Sequence, residues 1–305
     1  RCPATGYVGD GWSQWGSISS GGECGLAFSI LPTADTGQHS GVTWYVVAYG
    51  PATIITLSTE RSVAKDSPQL AWLRRTLAAV DRARTPWVIV QAHRPLYVDE
   101  PLACDATGCG NADQMRYYWH ALDPLLATGG VDLVCTGHRH ATQRHCAATK
   151  GRCAARAARD STGAAVYTHP GAPVYLTIGS AGAMADDPVP GPRGTGANFT
   201  EWSAARTAYA RARIDGLRLT VEVVDARSGA VLDTAVVLKP ASGAAPAPSP
   251  AAVVAADDAD GNAAAAAAFA VTVVVVIVAA GGAAAWAARR RAWRGWSAPQ
   301  TSEEI

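Results

Sequence analysis

Apolar positions along this chain follow two periods, and each stretch ends at a break that turn chemistry explains. From Trp44 to Thr59, two β-branched runs flank Gly50-Pro51 and predict a strand pair joined by a turn. Ser67 then precedes Pro68, and Leu70, Leu73, Leu77 and Val80 recur at helical spacing, so a helix capped by Ser67 is expected. Thr85 to Ala92 reads as the next strand. Strand, helix and strand in that order make a β-α-β unit, whose crossover implies parallel strands covered by helices. Met115, Trp119, Leu122 and Leu126 mark a second helix, bent or split at Pro124, with its aromatic residues in the core. Val131 to Val134 is another apolar run, and a cysteine-bearing loop is expected after His140. Val174 to Gly179 follows as a buried strand. Residues 207–238 alternate well enough for two or three antiparallel strands, with turns at Asp215-Gly216 and Ser228-Gly229. Residues 1–43 are rich in Gly, Ser and Thr without a sustained period, which predicts a long surface loop.

Two of these strands end in histidine. Val131-Asp132-Leu133-Val134-Cys135-Thr136 runs into Gly137-His138-Arg139-His140, and the Thr85–Ala92 strand runs into His93-Arg94-Pro95. A lone histidine after a strand is ordinarily a hydrogen-bonded structural residue. Ligands of open α/β sheets, however, gather at the carboxyl ends of strands, and two such sites together point to metal ligation.

Length and charge narrow the classes further. At 305 residues and 49% hydrophobic composition, the chain has material for one large domain plus appendages. A formal net charge of +1, with no basic stripe outside the extreme C-terminus, argues against a nucleic-acid partner. The chain begins at Arg1 with no charged-then-apolar leader, and reads as a fragment. Residues 241–262 are a low-complexity linker of Ala, Pro, Ser and Gly with Asp257, Asp258 and Asp260. Residues 263–288 carry no charge, and as a helix they would be roughly 39 Å long, enough to cross a hydrocarbon core of about 30 Å. Arg289-Arg290-Arg291 and Arg294 follow, with Trp286, Trp293 and Trp296 as interfacial anchors. This pattern predicts a single transmembrane helix in contact with membrane lipid, residues 1–262 extracellular or lumenal and residues 289–305 a short basic cytosolic tail.

The histidine segments carry a family resemblance. Ala92-His93-Arg94-Pro95-Leu96-Tyr97 resembles the G-H-R-P-M-Y segment of purple acid phosphatases, and Gly137-His138-Arg139-His140 resembles their G-H-x-H segment. Ser20-Gly21-Gly22-Glu23-Cys24-Gly25, Trp44-Tyr45, Leu57-Ser58-Thr59-Glu60, Ser67-Pro68-Gln69 and Thr85-Pro86-Trp87 match in the same order, so the resemblance covers roughly residues 9–240. It implies the C-terminal portion of a four-layer α/β/β/α metallophosphoesterase sandwich; composition alone supports only α/β with a partly antiparallel second sheet. It also implies hydrolysis of a small phosphate monoester at two metal ions, iron with zinc, manganese or iron. By motif position His93 and His138 would belong to the divalent-metal site and His140 to the ferric site, with Arg94 and Arg144 in the pocket. A phosphodiesterase or pyrophosphatase on the same scaffold, and a catalytically silent membrane-tethered domain binding a partner or carbohydrate, are the alternatives.

Departures from the family pattern matter as much. Its three upstream motifs, which supply aspartates, asparagine and tyrosine, are missing, and Gly9-Asp10-Gly11 has no apolar strand before it, so Asp10 reads as a solvated turn. Where the family has x-Y-E-R after its G-H-x-H segment, this chain has Ala141-Thr142-Gln143-Arg144. No paired histidine follows Tyr97, so no general acid is assigned. Three histidines cannot complete two metal sites, and the chain as written is expected to be inactive. The missing strands should also leave Val88 to Val90 and Val131 to Val134 exposed.

Of seven cysteines, Cys135 lies in a strand, while Cys104/Cys109 and Cys146/Cys153 are close pairs in loops of an extracytoplasmic domain and are expected to form disulfides. Cys2 with Cys24 is a weaker pairing. Asn198-Phe199-Thr200 is a glycosylation acceptor sequence.

Overall fold

Residues 44–98, 111–180, 199–240 and 271–273 are described by a computed structural model. The first strand pair is β1 (Tyr45–Tyr49) and β2 (Ala52–Thr56), antiparallel about Gly50, whose φ of 54° is the positive value that two-residue hairpin turns require. Helix α1 (Pro68–Ala78) follows. Ser67 Oγ accepts from Leu70 N at 3.2 Å, Pro68 stands in the first turn, and Leu70, Trp72, Leu73 and Leu77 are buried. Strand β3 (Trp87–Gln91) returns parallel to β2, so the expected β-α-β unit forms. The next helical stretch is split, as Pro124 predicts, into α2 (Asn111–Ala121) and α3 (Asp123–Thr128).

After β4 (Leu133–Thr136) come β5 (Thr142–Thr149), β6 (Arg152–Ala155), β7 (Ala158–Arg159), β8 (Ala165–Thr168) and β9 (Val174–Ile178). Strands β10 (Thr200–Ala204), β11 (Ala208–Asp215), β12 (Arg218–Asp225), β13 (Val231–Leu238) and β14 (Val271–Val273) complete the described elements. One sheet runs β1-β2-β3-β4-β9-β5-β10 with β6 beside β5, its β2, β3, β4 and β9 all parallel. The other runs β14-β11-β12-β13-β8-β7. One core, with Leu70, Leu73, Val88, Val90, Val134 and Leu126, lies between the first sheet and the helices. A second, with Trp87, Ile89, Leu133, Leu176, Ile214, Val221 and Val237, lies between the sheets. The described residues therefore build a helix layer and two sheet layers of the expected four; among them no helix covers the outer face of the second sheet.

Three expectations need correction. Val88, Ile89, Val90, Val131, Leu133 and Val134 are buried, not exposed, because helices and the second sheet cover both faces of the parallel strands. The cysteine-bearing segment is not a loop but the β5–β6 hairpin, stapled by a Cys146–Cys153 disulfide with Cα atoms 5.7 Å apart. The membrane helix expected over 263–288 is a separate matter: of its residues only Val271–Val273 are described, and these are extended beside β11. Among the described residues no helix is long and apolar enough to cross a membrane. The third concerns Arg144. It is 1% exposed and cannot line a pocket; its guanidinium bridges the sheets, Nε to Asp233 Oδ2 at 2.6 Å and Nη1 to Glu201 Oε2 at 2.9 Å and Tyr167 Oη at 2.8 Å. Burial alone would lower its pKa, but the hydrogen bonds with Asp233 and Tyr167 outweigh it and the net shift is upward. Cys135 is a free, buried cysteine as read; Cys2, Asp10, Cys24, Cys104, Cys109 and Asn198 lie outside the described residues.

Replacing Arg144 by Met should cost about 3–5 kcal/mol, since Asp233 would keep buried charge without its Arg144 counter-ion and Glu201 would keep as counter-ion only the longer contact with Arg156 at 3.8 Å. Urea denaturation measures it, and a loss below about 1 kcal/mol would show the network to be dispensable.

The neighbouring His145 faces the helix side, fully buried against Phe199, with Nδ1 3.0 Å from Thr200 Oγ1 and Nε2 without a hydrogen-bond partner. Burial, then the positive charge of Arg144, push its pKa down to about 3 from 6.5. A folded-state pKa below the unfolded one means that the unfolded chain binds the extra proton. Stability from this group is therefore present above pH 6.5 and lost as pH falls from 6.5 toward 3. Stability should drop on acidification through that window, by at most about 1.4 kcal/mol per pH unit for one proton, and the melting temperature should fall with it. His145→Leu should flatten the slope; an unchanged slope would assign it to other groups.

Candidate functional site

The parallel strands β2, β3 and β4 all deliver their carboxyl ends to one edge of the sheet, and the loops leaving them are tied together there. Gln69 braces the first loop, accepting from Ser58 N at 2.8 Å and donating to Ser58 O at 2.9 Å. Tyr118 Oη on α2 donates to Thr59 O at 3.0 Å, and Arg94 N donates to Thr59 Oγ1 at 2.7 Å. The second and third loops join through Gly137 N, which donates to His93 O at 2.8 Å.

The third loop is held in a conformation that a freely chosen sequence would avoid. His138 has φ 65°, in the left-handed region that costs a non-glycine residue energy. Gly179, at the end of β9, passes so close that a Cβ there would sit 1.8 Å from Arg139 O. Gly179 N also donates to Ala141 O at 3.2 Å, which seats the loop's far end.

This geometry brings His93 and His138 together. His138 Nδ1 lies 3.2 Å from His93 Nε2, with ring centroids 5.1 Å apart and planes at 81°. Burial, then the Arg94 and His93 charges, push the half-buried His138 down to about 4. His93 reaches solvent at one edge, yet it too is shifted down by the protein packed behind it; Glu60 opposes that shift, while Arg94 and His140 add to it. Both shifts favour the neutral imidazole, the form that ligates metal. His140 is exposed and near enough for its charge to act on both rings.

Two nitrogens at about 2.0–2.1 Å from one ion, at angles from octahedral to tetrahedral, would stand about 2.9–3.4 Å apart. The observed 3.2 Å fits a pair chelating a single cation. A two-metal centre is not fitted. Among the described residues no three His, Cys, Asp or Glu side chains are grouped to hold a metal, and Glu60, whose charge acts on both rings, is engaged by Arg94.

Arg94 stands at the site, its Nη1 3.4 Å from His138 Nε2. Its partner Glu60 went unassigned in the sequence: Arg94 Nε donates to Glu60 Oε1 at 2.5 Å and Nη2 to Oε2 at 3.3 Å. The signal was the place of Glu60, just past a strand end in the Leu57-Ser58-Thr59-Glu60 segment. Tyr97, three residues beyond Arg94, anchors the loop from inside: its Oη donates to Asp123 Oδ2 at 2.7 Å, and Tyr175 Oη donates to Asp123 Oδ1 at 2.5 Å.

Comparison with known proteins fits this arrangement. The family model for calcineurin-like phosphoesterases matches residues 12–142, and that for the iron/zinc purple acid phosphatase-like C-terminal domain matches residues 172–234. Probable inactive purple acid phosphatase 9 of Arabidopsis thaliana is 32% identical over 53% of this chain and 24% of its own length. A phosphoenolpyruvate phosphatase of Allium cepa is 33% identical over 46% of the chain and 26% of its own. A purple acid phosphatase of Glycine max is 30% identical over 57% and 33% respectively. The chain thus spans about a quarter to a third of the length of these relatives. Among solved structures, a purple acid phosphatase from yellow lupin (Lupinus luteus) seeds shares the fold at a TM-score of 0.59 and 23% identity, over 78% of this chain and 38% of that one. With both family models matched in order along one sandwich, the chain belongs to the purple acid phosphatase family of calcineurin-like metallophosphoesterases.

Proposed function

We propose that this chain carries the histidine half of a metal-dependent phosphoesterase site for small phosphate monoesters, and that residues 1–305 by themselves are catalytically silent. The neutral His93–His138 pair, 3.2 Å apart at the carboxyl ends of parallel strands, carries the reading. Such a pair binds one soft or borderline cation weakly, zinc foremost. The metal family chemistry is phosphate-oxygen polarisation, and it needs a second cation that neutral donors alone do not retain. The silent alternative draws support from two relatives in Arabidopsis thaliana named probable inactive purple acid phosphatases. A phosphodiester or pyrophosphate substrate on the same scaffold has no observation of its own here.

Metal-loaded residues 1–305 should show no hydrolysis of p-nitrophenyl phosphate above background, while a longer chain that adds the three upstream family motifs should turn it over. Zinc binding by residues 1–305, followed by calorimetry, should be weak and should fall at least about tenfold in His138→Ala. Robust turnover by residues 1–305, abolished by His140→Ala, would mean that an internal carboxylate completes the site.

The tethered topology belongs to the same proposal, with residues 1–240 as the metallophosphoesterase domain, 241–262 the linker, 263–288 the membrane helix and 289–305 the cytosolic tail. Within hydrocarbon every backbone group must be paired internally, so a bilayer favours a helix over the three-residue ladder with β11. The charge-free span followed by Arg289, Arg290 and Arg291 supports this orientation. Protease added to sealed vesicles should trim only the tail from the cytosolic side and spare the large domain; loss of the large domain from that side would reverse the topology.

A further inference from the structure

Resting on the reading of this edge as a phosphoester site, we propose that Arg94 is the site's phosphate-binding residue and that Glu60 occupies it from within as a tethered competitor. Three observations lead there. The Glu60 carboxylate takes the Nε and Nη2 edge of Arg94, 2.5 Å and 3.3 Å, in the two-pronged arrangement by which guanidinium also receives phosphate oxygens. The remaining nitrogen, Nη1, lies 3.4 Å from His138 Nε2, so an anion on Arg94 would adjoin the histidine pair. The residue itself is held in place: its backbone N donates to Thr59 Oγ1 at 2.7 Å, on the same loop that carries Glu60.

Charge then decides what the site accepts. Glu60 holds the Arg94 guanidinium in a 2.5 Å ion pair and offsets its charge at the edge where the histidines stand. A phosphate dianion approaching this edge therefore meets little attraction. Its affinity is further reduced because Glu60, held one hydrogen bond away from Arg94 on the Thr59 loop, competes at the high effective concentration of a tethered group. The pair is shielded but not sealed: the Arg94 side chain is 13% and the Glu60 side chain 19% exposed, so Glu60 can yield its place by rotating toward solvent. A phosphate group exchanging onto Arg94 forms the same two hydrogen bonds that Glu60 gives up, with no bond made or broken covalently.

The test uses the full chain, metal-free in the presence of EDTA, titrated with inorganic phosphate and followed by calorimetry. That readout involves neither zinc binding nor hydrolysis, so failure here and failure of the phosphoesterase reading are separable. Glu60→Gln should bind phosphate at least about tenfold more tightly than the parent chain. The double variant Glu60→Gln with Arg94→Gln should lose that gain. Glu60→Asp keeps the charge but shortens the reach, and should lie between the parent chain and Glu60→Gln; it stands in should Glu60→Gln misfold by circular dichroism. Equal phosphate affinity in the parent chain and the Glu60 variants would overturn the proposal. So would a gain that survives loss of Arg94, which would mark a general change of charge rather than a site.

Discussion

Strands β3, β4 and β9 are covered on one face by α1, α2 and α3 and on the other by the second sheet, and nearly every residue in them is buried. A parallel sheet enclosed in this way cannot place polar chemistry along its length, where an unpaired group would cost several kcal/mol. Chemistry is left to the strand ends. Parallel direction puts all the carboxyl ends on one edge, so His93 after β3 and His138 after β4 meet although 45 residues separate them in sequence. The family's histidines are adjacent for the same reason that the valines before them are buried.

The second sheet is fastened to the first by ion pairs as well as by apolar packing. Arg144 on β5 reaches Asp233 on β13 and Glu201 on β10, and Lys239 Nζ just past β13 pairs with Asp132 Oδ1 at 2.9 Å before β4 while lying over the Trp87 ring. Burial alone raises the Asp132 pKa, and Lys239 and the Val88 amide act against it. Such pairs add little net stability relative to apolar substitutes, but each fixes one register of one sheet against the other. Register matters here because β9 must bring Gly179 within contact of Arg139 O for the histidine loop to be seated.

Elements whose signal is local were legible in the sequence. Ser67-Pro68 marks a helix start because the cap and the missing proline N–H act within one turn, and Pro124 splits a helix by the same short-range logic. The strand-end histidines could be found because an apolar run followed by glycine and histidine is a local pattern. Strand β5 could not. Thr142-Gln143-Arg144-His145 has the composition of a loop, and only partners 57 and 89 residues away, Glu201 and Asp233, make its burial tolerable. The x-Y-E-R match drew Arg144 toward the pocket for want of that long-range information. Glu60 was passed over for a related reason: its role is defined by Arg94, 34 residues further on.

On the proposed reading, what separates this site from a two-metal hydrolase is its charge more than its shape. The histidine spacing of 3.2 Å suits a bound cation, and the strand ends that present it are those the fold uses for catalysis. Two cations need anionic oxygen between and around them, however, and among the described residues Glu60, the carboxylate whose charge acts on both histidines, is engaged by Arg94. If Glu60 turned toward the metal side, the Arg94 edge it now occupies would be open to an incoming anion. Carboxylate and substrate phosphate thus compete for the same guanidinium. Whichever holds Arg94 sets whether this edge attracts phosphate esters or remains electrically indifferent to them.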